Sequence, residues 1–213
     1  MLSDRPRRLA VLASGQGSNF EALTLASQRG ELGGRVVLLV SDDPAASAIR
    51  RAERLGVEWV CPPAGRFRTR LEDEAAWVEA LRAREADTVL LAGFMRRLHA
   101  TFLGAFADRI LNIHPSLLPA FPGLDAIHRA FEHGVRWTGC TVHMVDADLD
   151  AGPIVAQAAV EVRDGDTPET LERRIHEAEH RLYPEAVRRF LTCPWRREGR
   201  RLVFEPLRGE VGA

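Results

Sequence analysis

An amide and an imidazole stand two residues apart in the segment LNIHPSLLPAFPG, at Asn112 and His114. In a β-strand these two side chains would project from one face while Ile113 projects from the other. Pro115 cannot donate to a sheet, so the strand is expected to end there. An amide can stabilise an oxyanion and an imidazole can move a proton, so the pair could be catalytic. The alternative is a hydrogen-bonded core histidine.

A turn crowded with carboxylates, DADLDAG, contains Asp146, Asp148 and Asp150. An aspartate beside His114 would favour the charged imidazolium and fix the ring. The alternative is a solvated acidic loop. His114, His143 and Asp150 could also ligate a metal, but no HExxH or equivalent spacing occurs, so we predict no metal. No serine or cysteine has the surroundings of an activated nucleophile, which favours direct attack by a bound substrate.

A glycine-containing turn, LASGQGSN, follows the first apolar run. Gly15 and Gly17 let backbone amides face outward, and Ser18 and Asn19 can cap a following helix whose positive end attracts a phosphate. The turn is not a Walker loop, and Phe20 replaces the third glycine of a dinucleotide fingerprint. It therefore indicates either a phosphate site or an ordinary strand-to-helix turn.

Acidic residues mark two further places. Asp42 and Asp43 end the second apolar run, where a dinucleotide fold keeps its ribose-binding acid. Glu179 lies inside the apolar stripe of the last predicted helix and needs a partner there. That partner is either a substrate amine or hydroxyl, or a protein group such as an arginine. The stripe consists of Leu171, Ile175, Ala178, Leu182, Ala186 and Phe190, with Thr167 as N-cap and Pro168 as first helical residue.

Composition excludes several classes of protein. The 213 residues are 46% hydrophobic and 28% charged, with a net charge of −1 and no long run of one sign, so no nucleic-acid partner is predicted. The three cysteines form neither a disulfide framework nor a CxxC metal motif. The start MLSDRPRR has no apolar region of a signal peptide, and no transmembrane run occurs. These features predict a cytoplasmic protein without a membrane partner.

Apolar runs alternate with helix-like segments in the first half, which predicts an α/β fold with a doubly wound, mostly parallel sheet of Rossmann type. Two runs after Pro122 flank the acidic turn and predict an antiparallel pair added in the C-terminal half. Residues 1–213 are expected to form one domain, and RRLVFEPL to form one edge strand. The predicted strands are 8–14, 35–41, 57–60, 87–93 and 109–114, buried on both faces, and the helices lie near 18–30, 45–55, 70–85 and 97–107.

Five motifs together resemble one enzyme family over about residues 8 to 190, in matching order and spacing. They are GQGSN, LAGFMRRL, LNIHPSLLPAFPG, TGCTVHMVDADLDAGPIVAQ and EAEHRLYPEA. The family is that of the phosphoribosylglycinamide formyltransferases of purine biosynthesis. The resemblance implies formyl transfer from 10-formyltetrahydrofolate, as co-substrate, to the glycine amine of glycinamide ribonucleotide, without metal or covalent intermediate. It leaves open a monomer or a homodimer.

The same resemblance also implies which substrate each candidate site residue would bind. The ribonucleotide site would lie in the N-terminal half, and the folate site with the catalytic loop in the C-terminal half. The implied catalytic residues are Asn112, His114 and Asp150. The implied ribonucleotide ligands are Gly17, Ser18, Asn19 and Glu179, and the implied folate neighbours are Arg70, Met95, Arg96, Arg97, Leu98, Asn112, Asp146 and Asp150.

Two positions depart from the family pattern: Asp125 stands where many members have histidine, and Ala120 where some have lysine. A carboxylate facing the phosphate would weaken binding. Another folate-dependent formyltransferase or deformylase is the alternative enzyme, although a further C-terminal or N-terminal domain would be expected in those. A nucleotide-binding module without catalysis is the alternative of another class.

Overall fold

The computed structural model describes residues 6–205, in which nine strands and six helices occur. The first five residues, where we predict no signal peptide, lie outside the described residues, as do the last two of RRLVFEPL. The strands are β1 (Arg7–Leu12), β2 (Gly34–Val40), β3 (Glu58–Val60), β4 (Thr88–Leu91), β5 (Ile110–His114), β6 (Trp137–Met144), β7 (Ile154–Glu161), β8 (Trp195–Glu198) and β9 (Arg201–Phe204). The helices are α1 (Ser18–Gln28), α2 (Ser47–Leu55), α3 (Glu74–Arg82), α4 (Ala100–Ala105), α5 (Ala126–Glu132) and α6 (Pro168–Thr192).

All nine strands belong to one sheet, in the order β3-β2-β1-β4-β5-β6-β7-β9-β8. β1 to β5 pair in parallel, whereas β6 runs antiparallel to β5 and β7 antiparallel to β6. The predicted doubly wound sheet and its antiparallel C-terminal addition are thus confirmed. β1 lies between β2 and β4, so the winding direction changes there, and ligands of open α/β sheets bind at such a switch point.

Four local predictions differ from the structure. β3 is not buried on both faces, because it lies at the sheet edge, where Trp59 is 38% exposed. Helix α5 occupies a segment for which the sequence predicts no helix. RRLVFEPL does not form one edge strand: β9 lies inside the sheet and pairs with β8, the outer strand of a hairpin. The predicted helix near residues 70–85 begins only at Glu74, after the Asp73 cap.

Helix α6 begins as predicted, with Pro168 first and the Thr167 hydroxyl accepting the Thr170 amide hydrogen. Its apolar stripe packs on one face of the sheet, with Leu182 half-buried and the other stripe residues buried. Tyr183, also buried, places its hydroxyl 3.0 Å from the Leu91 carbonyl oxygen of β4 and 3.1 Å from that of Leu111 in β5. Within residues 6–205 no helix combines the length and apolarity that crossing a bilayer requires.

Replacing Tyr183 with phenylalanine is expected to lower the free energy of unfolding by about 1–3 kcal/mol, because a buried hydroxyl donor to two strand carbonyls is lost. Chemical denaturation of both proteins measures this difference. Phe190→Leu, on the same helix, keeps all hydrogen bonds and serves as a control for repacking. An unfolding free energy equal to that of the wild type would show that the hydroxyl does not couple α6 to the sheet.

Candidate active site

Three parallel strands reach the same level at the carboxyl edge of the sheet. Leu12 of β1 is in register with Leu91 of β4, and Leu91 is in register with Asn112 of β5. β1 and β4 end at this level, but β5 continues for two residues to His114. The loops that follow β1 and β4 therefore begin beside the strand that carries the amide and the imidazole.

His114 is 6% exposed and has an oxygen atom near each ring nitrogen. Nε2 donates to the Phe121 carbonyl oxygen at 2.9 Å, and Nδ1 lies 3.5 Å from Asp150 Oδ2. The same carboxylate oxygen accepts the Gly123 amide hydrogen at 2.7 Å. Both N–H groups of a protonated His114 would thus face acceptors, one of them a carboxylate. The acidic loop is not simply solvated: it brings Asp150 to the imidazole.

Asn112 reaches the same cluster through His143, which lies opposite it on β6. Nδ1 of His143 donates to the Met144 carbonyl oxygen at 2.8 Å, so Nε2 is free to accept from Asn112 Nδ2 at 3.1 Å. Burial lowers the pKa of His143, which favours this neutral form. Nε2 also lies 3.7 Å from Asp150 Oδ1. One amide hydrogen of Asn112 is therefore held by His143, and the other is left for a ligand.

Some residues in or beside this cluster have a strained backbone. Asp150 has φ 50°, Phe121 has φ 51° and Asp125 has φ 55°, all in the left-handed region that non-glycine residues seldom adopt. Such conformations persist where the surroundings over-determine them, and they cluster at functional sites. Asp125 is exposed and precedes α5 without a side-chain cap bond, and Ala120 is exposed as well.

The glycine-containing turn lies at the head of α1, with Gly17 as N-cap in the left-handed conformation. The prediction that Ser18 or Asn19 caps the helix is wrong, because both are already helical and no side chain caps this end. Instead α2 holds the turn: the Ala48 amide donates to the Gly15 carbonyl at 3.1 Å and Arg51 to that of Gln16 at 2.8 Å. The N–H and C=O groups of one peptide point in opposite directions. The amides of Gln16 and Gly17, which share peptides with these two carbonyls, therefore face away from α2.

Glu179 of α6 is 2% exposed and lies at the N-terminal end of α1. Its Oε2 accepts a hydrogen bond from Asn19 Nδ2 at 2.8 Å and one from His176 Nδ1 at 2.9 Å. Its protein partners are therefore an amide and an imidazole and not an arginine. The bond to Glu179 raises the pKa of His176. The side-chain oxygen Oδ1 of Asn19 is buried without a partner among the described residues and is an unsatisfied acceptor beside the turn.

The remaining predicted residues lie after β4. Met95 is 57% exposed and donates its amide to Ser14 Oγ at 3.0 Å, whereas Leu98 is buried. Arg70 and Arg97 pair as an isolated parallel bridge. The Arg96 guanidinium is almost buried and lies 2.6 Å from Asp42 Oδ2, whereas Asp42 Oδ1 is buried without a partner among residues 6–205. Arg70 stacks over Phe67 at 4.0 Å.

The structure thus brings Asn112, His114 and Asp150 together, and separately Gly17, Asn19 and Glu179. It adds His176, which the sequence did not mark, and gives His143, which the sequence marked only as a possible metal ligand, a contact with Asn112. His143 could have been found from its place on the strand before the acidic loop, and His176 from its spacing of three residues before Glu179. The described part of the chain contains no group of three His, Cys, Asp or Glu side chains with metal-binding geometry.

A family model described as formyl transferase matches residues 7–187. The phosphoribosylglycinamide formyltransferase of Bacillus subtilis (strain 168) is 44% identical over 185 residues, covering 87% of this chain and 95% of that protein. The crystal structure of glycinamide ribonucleotide transformylase 1 from Symbiobacterium toebii is 47% identical, with a TM-score of 0.90 and 95% of each chain covered. A formyltetrahydrofolate deformylase from Pseudomonas syringae is 25% identical, with a TM-score of 0.83, 94% of this chain covered and 66% of that chain.

Proposed function

The chain belongs to the formyl transferase family, and from that premise we propose that it transfers a formyl group from 10-formyltetrahydrofolate to the glycine amine of glycinamide ribonucleotide in purine biosynthesis. The observation that carries the proposal is the cluster in which Asn112, His114 and Asp150 meet. Asn112 contacts His143, and Asp150 lies near both His143 and His114. One oxyanion donor, one proton carrier and one carboxylate thus lie together in a mostly buried place. The relatives that support it match nearly the full length of this chain.

The acceptor ribonucleotide would bind at the head of α1. Its 5′-phosphate would accept hydrogen bonds from amides of Gly17, Ser18 and Asn19, where the helix dipole favours an anion. Glu179 uses Oε2 for its protein partners, so Oε1 would accept a ribose hydroxyl. Asp125 lies exposed at the start of α5. A phosphorylated acceptor is what favours this reaction over hydrolysis of the formyl folate.

The folate would lie beside the loop after β4. The exposed side chain of Met95 and the strand-edge backbone of Arg96 to Leu98 offer apolar and polar contacts to a flat ring system, with Arg70 and Asp146 at its margins. Because its guanidinium is held by Asp42, Arg96 would contribute backbone groups and not a free charge. Asn112 and Asp150 would reach the formyl-bearing end.

The reaction then follows from the cluster. The substrate amine attacks the formyl carbon, and the carbonyl oxygen becomes an oxyanion that accepts the free amide hydrogen of Asn112. Protonated His114, supported by Asp150, donates through Nε2, and the oxyanion replaces the Phe121 carbonyl as its acceptor. The amine gives up one proton, N10 of the folate receives one, and the C–N10 bond breaks to release tetrahydrofolate.

A formyl-transfer assay tests the proposed function directly. Purified protein with 10-formyltetrahydrofolate and glycinamide ribonucleotide is expected to form formylglycinamide ribonucleotide and tetrahydrofolate in equal amounts. Omitting the ribonucleotide, or replacing it with glycinamide, should abolish turnover. Formate release at the same rate without any amine would instead identify a deformylase, and ribonucleotide binding without turnover would identify a binding module.

Replacing Gly17 with alanine is expected to raise KM for the ribonucleotide about tenfold or more with a smaller change in kcat. A Cβ at Gly17 would lie 2.6 Å from Ala48 Cβ at a φ of +74°, so the amides must move away from the phosphate. Steady-state kinetics with each substrate varied measures the effect. Gly15→Ala is the matched control, because a Cβ there meets nothing within 4 Å. Equal KM values for both variants would contradict the assignment of the turn.

The proposal extends to organisation and location. Residues 1–213 would form a single formyltransferase domain, since the nine described strands belong to one sheet. A cytoplasmic enzyme fits the three free cysteines, of which Cys140 is buried and has its pKa raised by burial to about 12, so its thiol is unreactive.

A further inference from the structure

The hairpin of β8 and β9 lies beyond residues 7–187, which the family model matches. One side of the hairpin is anchored to the end of α6. Trp195 stacks on Phe190 with ring centroids 5.0 Å apart and donates its indole hydrogen to the Phe190 carbonyl at 3.1 Å. The Arg189 guanidinium lies 4.2 Å from the centre of the Phe204 ring. The hairpin is therefore held in a fixed position and does not trail from the helix.

The turn end of the hairpin reaches the segment that carries the catalytic carboxylate. We call residues 145–153, between β6 and β7, the acidic loop. Arg201 at the start of β9 pairs in parallel with Ile154, the first residue after this loop. Arg200 donates from Nη2 to the carbonyl oxygen of Ala151 at 2.9 Å. This carbonyl belongs to the peptide between Ala151 and Gly152, so the bond restrains the backbone one residue beyond Asp150.

The acidic loop needs such support because Asp150 is held in the left-handed region at φ 50°. Its backbone is otherwise hydrogen-bonded at its ends, where Val145 donates to Ile110 and Met144 to Pro153, and inside the loop, where the Asp148 amide donates to Asp146 Oδ1. Asp150 itself is tied through its side chain, to Gly123 and His114. Among residues 6–205, Arg200 is the one side chain from outside the loop that hydrogen-bonds its backbone.

We propose that Arg200 is a positioning residue for the catalytic carboxylate. By holding the Ala151 carbonyl, it stabilises the backbone conformation from which Asp150 reaches His114. Without this bond the Ala151–Gly152 peptide can rotate, and the adjoining backbone of Asp150 can then relax from its left-handed conformation, which draws the carboxylate away from the imidazole. The C-terminal hairpin is then a part of the catalytic apparatus that acts through the acidic loop and touches neither substrate. The inference rests on the proposed formyl transfer.

The test compares three variants of the full chain. Arg200→Ala is expected to lower kcat about fivefold, the equivalent of one hydrogen bond, with KM for the ribonucleotide unchanged. Arg200→Lys, whose ammonium can donate to the same carbonyl, should restore part of the loss. Arg197→Ala is the control, because Arg197 is exposed on the same hairpin and donates only to Gly199 within it. It should retain wild-type kinetics.

A second readout does not depend on catalysis. Hydrogen exchange measured by mass spectrometry should be faster in peptides covering residues 145–153 of Arg200→Ala, and unchanged in those covering β1 and α1. Arg200→Ala with wild-type kinetics and wild-type exchange would overturn the inference, as would a loss that raises KM for the ribonucleotide equally. An inactive wild-type protein would refute the proposed function instead, while the exchange result would still decide whether Arg200 holds the loop.

Discussion

His114→Ala is expected to lower kcat for formyl transfer by about 10²–10⁴-fold, the range in which a positioned general acid or base contributes to a reaction. Nδ1 of this imidazole faces the Asp150 carboxylate, and Nε2 donates to the Phe121 carbonyl, which the oxyanion can replace. Its removal leaves Asn112 as the remaining donor to the oxyanion and takes away the proposed proton carrier. Single-turnover kinetics separates this loss from slow product release.

The ribonucleotide should still bind to His114→Ala with KM or Kd within about twofold, since the turn at α1 is untouched. His128→Ala, which removes an exposed histidine of α5 that lies 3.5 Å from Glu132, is a control for loss of an imidazole as such. Thermal unfolding of both variants establishes that each is folded. If His114→Ala turned over at the wild-type rate, the imidazole could not be the proton carrier.

Asp150→Asn is expected to lower kcat by about 10²–10³-fold, because a neutral amide no longer stabilises the imidazolium that forms beside it. The substitution removes the negative charge of the side chain and leaves its shape almost unchanged. Asparagine is nearly isosteric, tolerates the left-handed φ of 50°, and can still accept the Gly123 amide hydrogen. Loss of activity would therefore follow from loss of the carboxylate and not from collapse of the acidic loop.

Asp148→Asn is the matched comparison for this variant, since Asp148 is exposed in the same loop and its side chain contacts neither histidine. We expect its kcat to remain within about threefold of the wild type, the effect of a distant screened charge. Steady-state kinetics at saturating concentrations of both substrates compares the two variants. Equal losses in both would assign the effect to the net charge of the loop, and wild-type activity in Asp150→Asn would remove the carboxylate from the mechanism.

Much of the fold was predictable because it follows from local patterns. Apolar runs bounded by turn residues located the parallel strands, and Thr167 with Pro168 located the start of α6 to the residue. Contacts that span the chain were not predictable in this way. Burial of β3 could not be judged without its place at the sheet edge, and the hairpin of β8 and β9 depends on the Trp195 contact with α6.

In the candidate site, too, features set by local patterns were predictable and contacts between distant segments were not. Two-residue alternation was enough to place Asn112 and His114 on one face, and the family motifs pointed to Asp150. The neutral tautomer of His143, which orients the Asn112 amide, depends on a carbonyl and a burial that appear only when β5 pairs with β6. Likewise, Asn19 was predicted to cap α1 from local preference, but the buried carboxylate of Glu179, 160 residues away, takes its amide instead.

Residue types at short, fixed spacings were enough to predict the order of the five parallel strands, the strand that bears the amide and imidazole, and the family to which the chain belongs. Only the tertiary structure decided which atoms meet: that His114 faces Asp150, that His143 holds Asn112, and that Arg200 reaches Ala151. Hydrogen bonds act over about 3 Å, so they are set by how distant segments pack, which no local spacing encodes.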